Sequence, residues 1–343
     1  MSESWADQWL QQHLVCPRDQ QSLRAGRDRL VCPQGHEYPV VNGVPVMLWN
    51  DASQDIGSAS LREARKQPPP DPWFVDAIPC NAEEYELVRK QIAAFQPGAV
   101  DPVVQSVLTI TSGNLYRPLL GRLREYPIPE IRIPTAAGDT LLDVGCNWGR
   151  WCVAAARKGY HAVGIDPGLG AVLAAKRVCN QLGVTAAFVV GDACCLPFAA
   201  HSFDRVFSYS VLQHFSKDDA RHALGEVARV LRPGGESLIQ MPNSLGVRSL
   251  QHQLMRGFRA PRDYEVRYWT PGELLQCFRK MIGESWLSAD CYFGLGIQIS
   301  DVELLPAMHR AVIRTSEMLR RISEKVPAMV GVADSLYVHS RRM

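Results

Sequence analysis

The stretch Leu141-Leu142-Asp143-Val144-Gly145-Cys146-Asn147-Trp148-Gly149-Arg150-Trp151 decides the fold of this chain. Its apolar start, residues 141–144, ends in a turn bracketed by Gly145 and Gly149, and an alanine-rich segment of helical character follows. This order predicts the first strand, first loop and first helix of a doubly wound α/β sheet. Because the two glycines have no side chains, the backbone there can approach a ligand at the carboxyl end of the strand.

The spacing of the glycines argues against a nicotinamide cofactor. A dinucleotide-binding loop has the pattern G-x-G-x-x-G, which places a pyrophosphate on the helix N-terminus. Counted from Gly145, the second and third glycine positions hold Asn147 and Arg150. The pattern that remains, Asp-x-Gly-x-x-x-Gly from Asp143 to Gly149, resembles the nucleotide-binding loop of class I S-adenosylmethionine-dependent methyltransferases. In that family the loop surrounds the methionine moiety, and a third glycine often stands where this chain has Asn147.

The resemblance implies further cofactor contacts where later strands end. Asp166 ends the second predicted strand, roughly 20 residues past the loop, where an acidic side chain accepts hydrogen bonds from ribose hydroxyls. Asp192 ends the third, and in the family this acidic residue lies against the adenine amino group. The implied set for S-adenosyl-L-methionine is Asp143, Gly145, Asn147, Gly149, Asp166, Asp192, Ala193, Ser208, Tyr116 and Arg117.

The segments after the loop alternate between strand and helix patterns, and the sequence Leu-Arg-Pro-Gly-Gly at 231–235 precedes the fifth predicted strand. That sequence is one of the more specific signatures of the family, and the whole resembles its small-molecule branch, typified by the ubiquinone and menaquinone biosynthesis methyltransferases. The predicted fold class is α/β: a Rossmann-like class I methyltransferase sheet, mostly parallel with the last strand antiparallel, plus a small N-terminal zinc-ribbon-like β domain.

Residues 1–50 contain two Cys-Pro knuckles, each followed by short β-like runs. A standard zinc ribbon has Cys-x-x-Cys, but here the pairs are Cys16-x-x-Asp19 and Cys32-x-x-x-His36. These four side chains form a candidate tetrahedral zinc site, in which the carboxylate lowers the affinity for a metal that favours thiolates. The alternative is a ribbon that has lost its metal and is held by its apolar residues.

The knuckles, together with the closing run Tyr-Pro-Val-Val-Asn-Gly-Val-Pro-Val-Met-Leu, resemble the small zinc-ribbon-like proteins that activate tRNA, rRNA and release-factor methyltransferases. This resemblance covers only the N-terminal segment and does not establish an RNA substrate. The predicted organisation is a zinc-ribbon-like domain at 1–50, a proline-rich linker at 51–80, a helical lid at 81–135, and the S-adenosylmethionine-binding domain at 136–343 with a helical insert at 301–326.

Composition and charge narrow the classes of partner. The 343 residues are 46% apolar and 21% charged, with a net charge of +2, which gives no overall attraction to nucleic acid. No secretory signal and no apolar stretch long enough to cross a bilayer are visible, so no membrane span is expected. Ten cysteines without a signal peptide favour reduced thiols and a cytoplasmic location. The oligomeric state has no signal in the sequence.

The chemistry implied by the resemblance needs few protein groups. Methyl transfer from a sulfonium is an in-line displacement on an activated carbon, so alignment of the acceptor is the main requirement. A base is needed only if the acceptor must lose a proton. His214, which follows the fourth predicted strand, is the candidate catalytic base, and its alternative role is packing or orienting the substrate.

Three functions remain open from the sequence. The first is a methyltransferase that modifies O or N of a small-molecule acceptor. The second modifies RNA or protein docked by residues 1–50, but the near-neutral charge argues against it, as does Ser208-Tyr209-Ser210-Val211 in place of an Asn/Asp-Pro-Pro-Tyr motif. The third is a catalytically silent cofactor-binding partner protein, which the acidic residues Asp143, Asp166 and Asp192 argue against.

Overall fold

The computed structural model describes residues 5–48, 55–66, 73–78, 81–111, 116, 119, 122–294, 296 and 298–343. The chain divides into two units, Met1–Ser202 and Phe203–Met343. The predicted fold class is confirmed, with a mostly parallel seven-stranded sheet, an antiparallel last strand and a small antiparallel sheet near the N-terminus. Among the described residues, no helix is both long and apolar enough to cross a membrane.

The core of the first unit is a set of parallel strands in the order β5-β6-β7, connected by helices α5 and α6. The strands consist almost wholly of buried apolar residues, because helices pack on both faces of a parallel sheet. Val144 is in register with Ile165, and Asp166 with Val190, so the residues that follow each strand lie at one edge. The bounds are β5 Thr140–Val144, α5 Arg150–Arg157, β6 His161–Asp166, α6 Leu169–Gln181 and β7 Ala186–Val190.

The N-terminal sheet is joined to the parallel strands through β7. Val46 forms a parallel bridge with Val190, and the Met47 N–H donates to the Val190 carbonyl at 2.7 Å. Val46 and Met47 are buried, so apolar packing accompanies these bonds. The sheet has the order β1-β2-β3-β4 and is antiparallel throughout. Its elements, with the helix before it, are α1 Trp5–His13, β1 Arg24–Ala25, β2 Arg29–Val31, β3 Glu37–Val41 and β4 Val44–Pro45.

A helix, α2 (Asp55–Ala64), lies inside the segment that the sequence predicts as a linker. The Ser60 Oγ accepts a hydrogen bond from the Leu169 N–H at 2.9 Å, and Leu61 is buried. Residues 55–64 therefore pack against the start of α6 and are not extended linker. The proline cluster at 68–72 lies outside the described residues.

Two helices fall within the predicted lid segment. Helix α3 (Ala82–Ala93) begins with a capping box made by Asn81 and Glu84. Helix α4 spans Pro102–Thr111. The sequence pattern predicts a helix from Asp101 to about Arg124, but residues 122–124 at its end are turn, bend and irregular chain.

The strands of the second unit have the order β10-β11-β9-β8. Strands β8 and β9 are parallel, whereas β11 is antiparallel to both β9 and β10. The sequences Ser216-Lys217-Asp218-Asp219 and Thr270-Pro271-Gly272-Glu273 predict capping boxes. Both first residues cap a helix, and the full reciprocal box is formed at Thr270. The bounds are β8 Phe203–Ser208, α7 Lys217–Val230, β9 Leu231–Pro242, α8 Val247–Met255, α9 Pro271–Met281, β10 Gly283–Cys291, α10 Ala307–Ser323 and β11 Ser335–Arg342.

The contact between Met47 and β7 gives a stability prediction. Met47→Ala should lower the free energy of unfolding by about 2–5 kcal/mol, because truncating a buried side chain loses its transfer free energy and leaves a cavity. Urea unfolding monitored by circular dichroism measures the change. Leu87→Ala on α3, where the side chain is exposed, is the matched control and should change stability little. An unfolding free energy in Met47→Ala equal to that of the control would contradict this packing.

Candidate cofactor-binding and catalytic site

The glycine loop after β5 is held against β6 by backbone hydrogen bonds. The Gly145 and Cys146 N–H groups both donate to the Ile165 carbonyl, at 2.8 and 3.0 Å. Asn147 has a positive φ of 48°, and its N–H donates to Asp166 Oδ2 at 3.0 Å. The loop is therefore fixed at the carboxyl ends of β5 and β6.

Gly149 shows why the loop needs a glycine where α5 begins. Its φ is +80°, in the left-handed region, and a Cβ built there would lie 2.9 Å from the Cβ of Ala175. A side chain would be strained by the backbone conformation and would collide with α6 at the same time. Packing, as well as access for a ligand, thus requires a glycine at position 149.

Asp143 and Asp166, at this edge, both have raised pKa values. Asp143 is fully buried, its Oδ2 accepts from the Cys152 thiol at 3.4 Å, and its Oδ1 has no hydrogen-bond partner among the described residues. Burial raises the pKa of Asp143 to about 7. Burial also raises the pKa of Asp166 to about 6, opposed by bonds from the Gly168 N–H to Oδ1 and from the Asn147 N–H to Oδ2.

The other residues predicted to contact the cofactor in the first unit occupy different settings. Asp192 follows β7, is buried, and accepts from the Cys194 N–H at 2.8 Å through Oδ1. Ala193 lies in the turn after it and is half-buried. Tyr116 is buried, and Arg117 lies outside the described residues. The register of β5, β6 and β7 brings the loop, Asp166 and Asp192 to one edge; nothing in the structure tests the roles predicted for them.

Ser208 and His214 belong to the second unit. Ser208 is the buried last residue of β8, and His214 ends a short 3-10 helix at Leu212–His214. His214 Nδ1 donates to the Tyr264 carbonyl at 2.6 Å, so Nε2 is the unprotonated nitrogen and faces Gln213 Nε2 at 3.1 Å. Burial lowers the pKa of His214, and the nearby charge of Arg267 acts in the same direction. The ring is therefore neutral near pH 7.

A buried polar network beside β8 has no counterpart in the sequence predictions. The Tyr209 hydroxyl donates to Asp290 Oδ2 at 2.7 Å and accepts from Gln298 Nε2 at 2.6 Å. Ser335 Oγ donates to the same Asp290 oxygen at 2.7 Å. Burial and the Asp290 charge raise the pKa of Tyr209 well above its usual value. No sequence motif could reveal this network, because its members are up to 126 positions apart along the chain, from Tyr209 to Ser335.

Ser210, next to this network, has a φ of +63°, which is unusual for a residue other than glycine. Its N–H donates to Gln240 Oε1 at 2.9 Å, and Gln213 Nε2 donates to its Oγ at 2.7 Å. Backbone strain that surrounding hydrogen bonds hold in place is concentrated at functional sites. The bend after β8 is therefore fixed on both sides, through β9 and through the residue next to His214.

The four predicted metal ligands converge in the first unit. Their ligand atoms, from Cys16, Asp19, Cys32 and His36, lie within 4.8 Å of one another. His36 Nδ1 is 3.4 Å from Cys16 Sγ, 3.2 Å from Cys32 Sγ and 3.2 Å from Asp19 Oδ2. Cys32 Sγ is 3.5 Å from the same Asp19 oxygen. Both thiols are buried, and the Tyr38 hydroxyl lies 3.1 Å from Cys16 Sγ.

Comparisons with known proteins match the segment that contains the glycine loop. A family model described as "Methyltransferase domain" matches residues 141–235, which begin in β5 and extend into β9. A mouse tRNA (carboxymethyluridine(34)-5-O)-methyltransferase, ALKBH8, is 24% identical over 66% of this chain and 35% of its own length. The O-methyltransferase resE of Aspergillus sclerotiorum is 36% identical over 32% of this chain and 41% of its own length.

The chain thus spans less than half the length of these two curated relatives. Among solved structures, a SAM-dependent methyltransferase from Methanosarcina mazei is similar with a TM-score of 0.45 and 20% identity, over 64% of this chain and 99% of that one. The family match covers both the glycine loop and the Leu-Arg-Pro-Gly-Gly segment. Residues 141–235 therefore form a methyltransferase domain of the class I, S-adenosylmethionine-dependent type.

Proposed function

We propose that this protein binds S-adenosylmethionine and transfers its methyl group to O or N of a small-molecule acceptor. The observation that carries the proposal is the edge formed by β5, β6 and β7. There a fixed glycine loop lies beside buried Asp143 and half-buried Asp166, and Asp192 follows the next strand.

The donors and acceptors at this edge fit the cofactor. Ribose hydroxyls are hydrogen-bond donors, and each Asp166 oxygen retains a second acceptor position beyond its one backbone N–H. The Asp143 Oδ1, buried and without a partner among the described residues, offers a further acceptor beside the loop. Asp192 and the Ala193 N–H would hold the adenine. When bound, S-adenosylmethionine supplies a methyl carbon activated by a sulfonium charge.

His214 is the residue that we assign to proton removal from the acceptor. Its Nδ1 is committed to the Tyr264 carbonyl, which leaves Nε2 as the basic nitrogen. Burial keeps the ring neutral, and a neutral imidazole is the form that accepts a proton. Because Gln213 Nε2 faces the same nitrogen, a proton acceptor role requires that amide to rotate when the acceptor binds.

A small-molecule acceptor is supported by the net charge of +2 and by Ser208-Tyr209-Ser210-Val211 after β8. An RNA acceptor is the second candidate, favoured by the similarity to the mouse tRNA methyltransferase ALKBH8. In that case the N-terminal segment, which resembles activators of RNA methyltransferases, would serve for docking.

We also propose that Cys16, Asp19, Cys32 and His36 bind one zinc ion that stabilises the N-terminal sheet. Zinc bonds of about 2.3 Å to sulfur and about 2.0–2.1 Å to nitrogen or oxygen place tetrahedral donors about 3.3–3.8 Å apart. Four of the separations in this cluster, at 3.2–3.5 Å, are close to those of the tetrahedron, and all the ligand atoms lie within 4.8 Å of one another. Hydrogen bonds among the same four side chains would hold them together in the metal-free ribbon, which is the alternative.

Asp166→Ala should weaken S-adenosylmethionine binding by about 1.5–3 kcal/mol, the range for hydrogen bonds to a charged group. Isothermal titration calorimetry measures the change. Asp139→Ala, an exposed carboxylate just before β5, is the matched control and should bind normally. Unchanged affinity in Asp166→Ala would refute the assignment to ribose.

The same titration has an expected dependence on pH. Because burial raises the pKa of Asp166 to about 6, lowering the pH through this value protonates the carboxyl group and removes an acceptor. Wild-type affinity should fall below about pH 6, and more steeply than in Asp166→Asn, which has no proton to gain. Asp143 is present in both proteins and contributes equally. Parallel pH curves for the two proteins would contradict a role for the Asp166 charge.

The class of acceptor is tested with radiolabelled methyl groups. Wild-type protein and S-adenosylmethionine labelled in the methyl group are incubated with a cell extract divided into small molecules, RNA and protein. We expect label in the small-molecule fraction; label confined to RNA would establish the second candidate. His214→Gln should lower incorporation by about 100-fold or more, with normal cofactor affinity, if the histidine is the base. Incorporation within twofold of wild type would assign His214 to packing alone.

Zinc is tested by metal analysis of protein purified without chelators. Wild-type protein should contain close to one zinc ion per chain, and Cys32→Ser should contain little. Cys277→Ser, a half-buried thiol on α9, is the control and should retain the metal. Asp19→Cys should hold zinc against a higher concentration of chelator, since thiolate is the better ligand. A folded wild-type protein without metal would establish the metal-free ribbon.

A further inference from the structure

Helix α8 has its apolar face turned toward solvent. Val247, Leu250 and Leu254 recur at the spacing of one helical face, and Phe258 continues it just beyond the last turn. Helices of soluble proteins bury such a face. Here the large apolar side chains of this segment are 44–80% exposed: Leu245, Val247, Leu250, Leu254, Met255 and Phe258. We call these six residues the α8 apolar face.

The opposite face of α8, which packs on the protein, is small and polar. Gly246, just before the helix, lies so close to the backbone of Asp334 that an added Cβ would be 2.4 Å from the Asp334 Cα. The Ser249 N–H donates to Asp334 Oδ1 at 2.7 Å, and Gln253 Nε2 donates to the Ser244 carbonyl at 2.9 Å. Hydrogen bonds therefore fix the helix with its apolar residues outward, and the exposure is not the result of a loosely packed element.

Along the chain, α8 and the turn after it carry charged side chains of one sign only. No acidic residue occurs between Glu236 and Asp263, whereas this interval contains arginines at 248, 256, 259 and 262. Arg248 and Arg262 are exposed. Arg259 is ion-paired with Glu265, so it adds little net charge. An exposed apolar face flanked by arginines matches a segment that lies in the interface of a membrane with anionic lipids.

We propose that α8 binds the surface of a bilayer containing anionic phospholipids, with its apolar face among the acyl chains and Arg248 and Arg262 at the headgroups. The nine residues of α8 are too few to span a bilayer, so the helix lies along the surface. This proposal goes beyond the proposed transferase activity and does not depend on it.

Two other occupants fit the surface less well. A second copy of this chain related by a two-fold axis would bring the same arginines together, with no acidic residue between Glu236 and Asp263 to pair with them. RNA would be met by aromatic side chains that stack on bases, yet five of the six residues in the α8 apolar face are leucine, valine or methionine.

Vesicle sedimentation with the full chain tests the proposal. The wild-type protein is mixed with vesicles of phosphatidylcholine containing about one third phosphatidylglycerol, and with vesicles of phosphatidylcholine alone. We expect binding to the anionic vesicles that weakens as salt is raised from about 50 to about 500 mM. Wild-type protein that remains in the supernatant at all lipid concentrations would overturn the proposal.

Variants of α8 and of α10 test whether α8 is the part of the protein that contacts the vesicles. The triple change Leu250→Ser, Leu254→Ser and Phe258→Ser should lower vesicle affinity by about tenfold or more. Arg248→Gln with Arg262→Gln should lower it by about fivefold for each arginine and reduce the dependence on salt. The matched controls on α10, Met318→Ser with Ile322→Ser and separately Arg321→Gln, alter exposed residues of the same types and should bind as wild type.

Further readouts separate the alternatives. Equal losses in the α8 and α10 variants, or a triple variant that still sediments with vesicles, would overturn the assignment to α8. Two results, in a wild-type protein that does not bind vesicles, would overturn the membrane as the occupant. One is a dimer in analytical ultracentrifugation that the triple change dissociates. The other is RNA binding that the triple change abolishes. Because Leu250, Leu254 and Phe258 are exposed, the triple variant should bind S-adenosylmethionine as the wild type does. If the wild-type protein failed to bind S-adenosylmethionine, that result would contradict the proposed function and not the membrane contact of α8.

Discussion

The Asp166 carboxylate joins the elements on which the cofactor-binding edge depends. One oxygen receives the N–H of Asn147 in the glycine loop, and the other receives the N–H of Gly168 just before α6. Burial makes the charged form of this group costly, so these bonds and a polar ligand stabilise it together. The same side chain thus fixes the loop, begins the helix and is the acceptor that we assign to ribose. Asn147 stands where the family often has glycine, and it reaches the required left-handed conformation with this bond.

The sequence predicts most of this edge because its signals are local. Apolar runs mark the parallel strands, an acidic residue ends or follows the second and third strand, and Gly149 is required by a positive φ and by contact with Ala175. The caps at Ser216 and Thr270 are equally local and are confirmed. What the sequence misses depends on distant partners. Ser60 meets Leu169 across 109 positions, so α2 lies in a segment whose own pattern indicates only a linker. Tyr209 and Asp290 likewise come together only in the folded chain.

Periodicity alone also leaves the orientation of α8 undetermined. Apolar spacing shows that the helix has two unlike faces, but burial of the apolar one is a default that tertiary contacts can reverse. Gly246 and Ser249 decide the outcome here, because they allow the helix to approach Asp334 too closely for larger side chains. The four metal-ligand candidates are the opposite case. Their types and spacing suffice to name them, and the fold brings all four together even though Asp19 replaces the usual cysteine.

The contact of Val46 and Met47 with Val190 affects how readily β7 could pair with a strand of another molecule. A strand at the end of a sheet presents unpaired N–H and C=O groups that can capture a strand from another molecule. β7 is the last of the parallel strands in the first unit, and its five residues are alanine, phenylalanine and valine, without charge. At the Val190 end of this edge, the N-terminal segment takes up a carbonyl group that another chain could otherwise bind. Fragments that begin after residue 50 would lose this contact even where every cofactor-binding residue is retained.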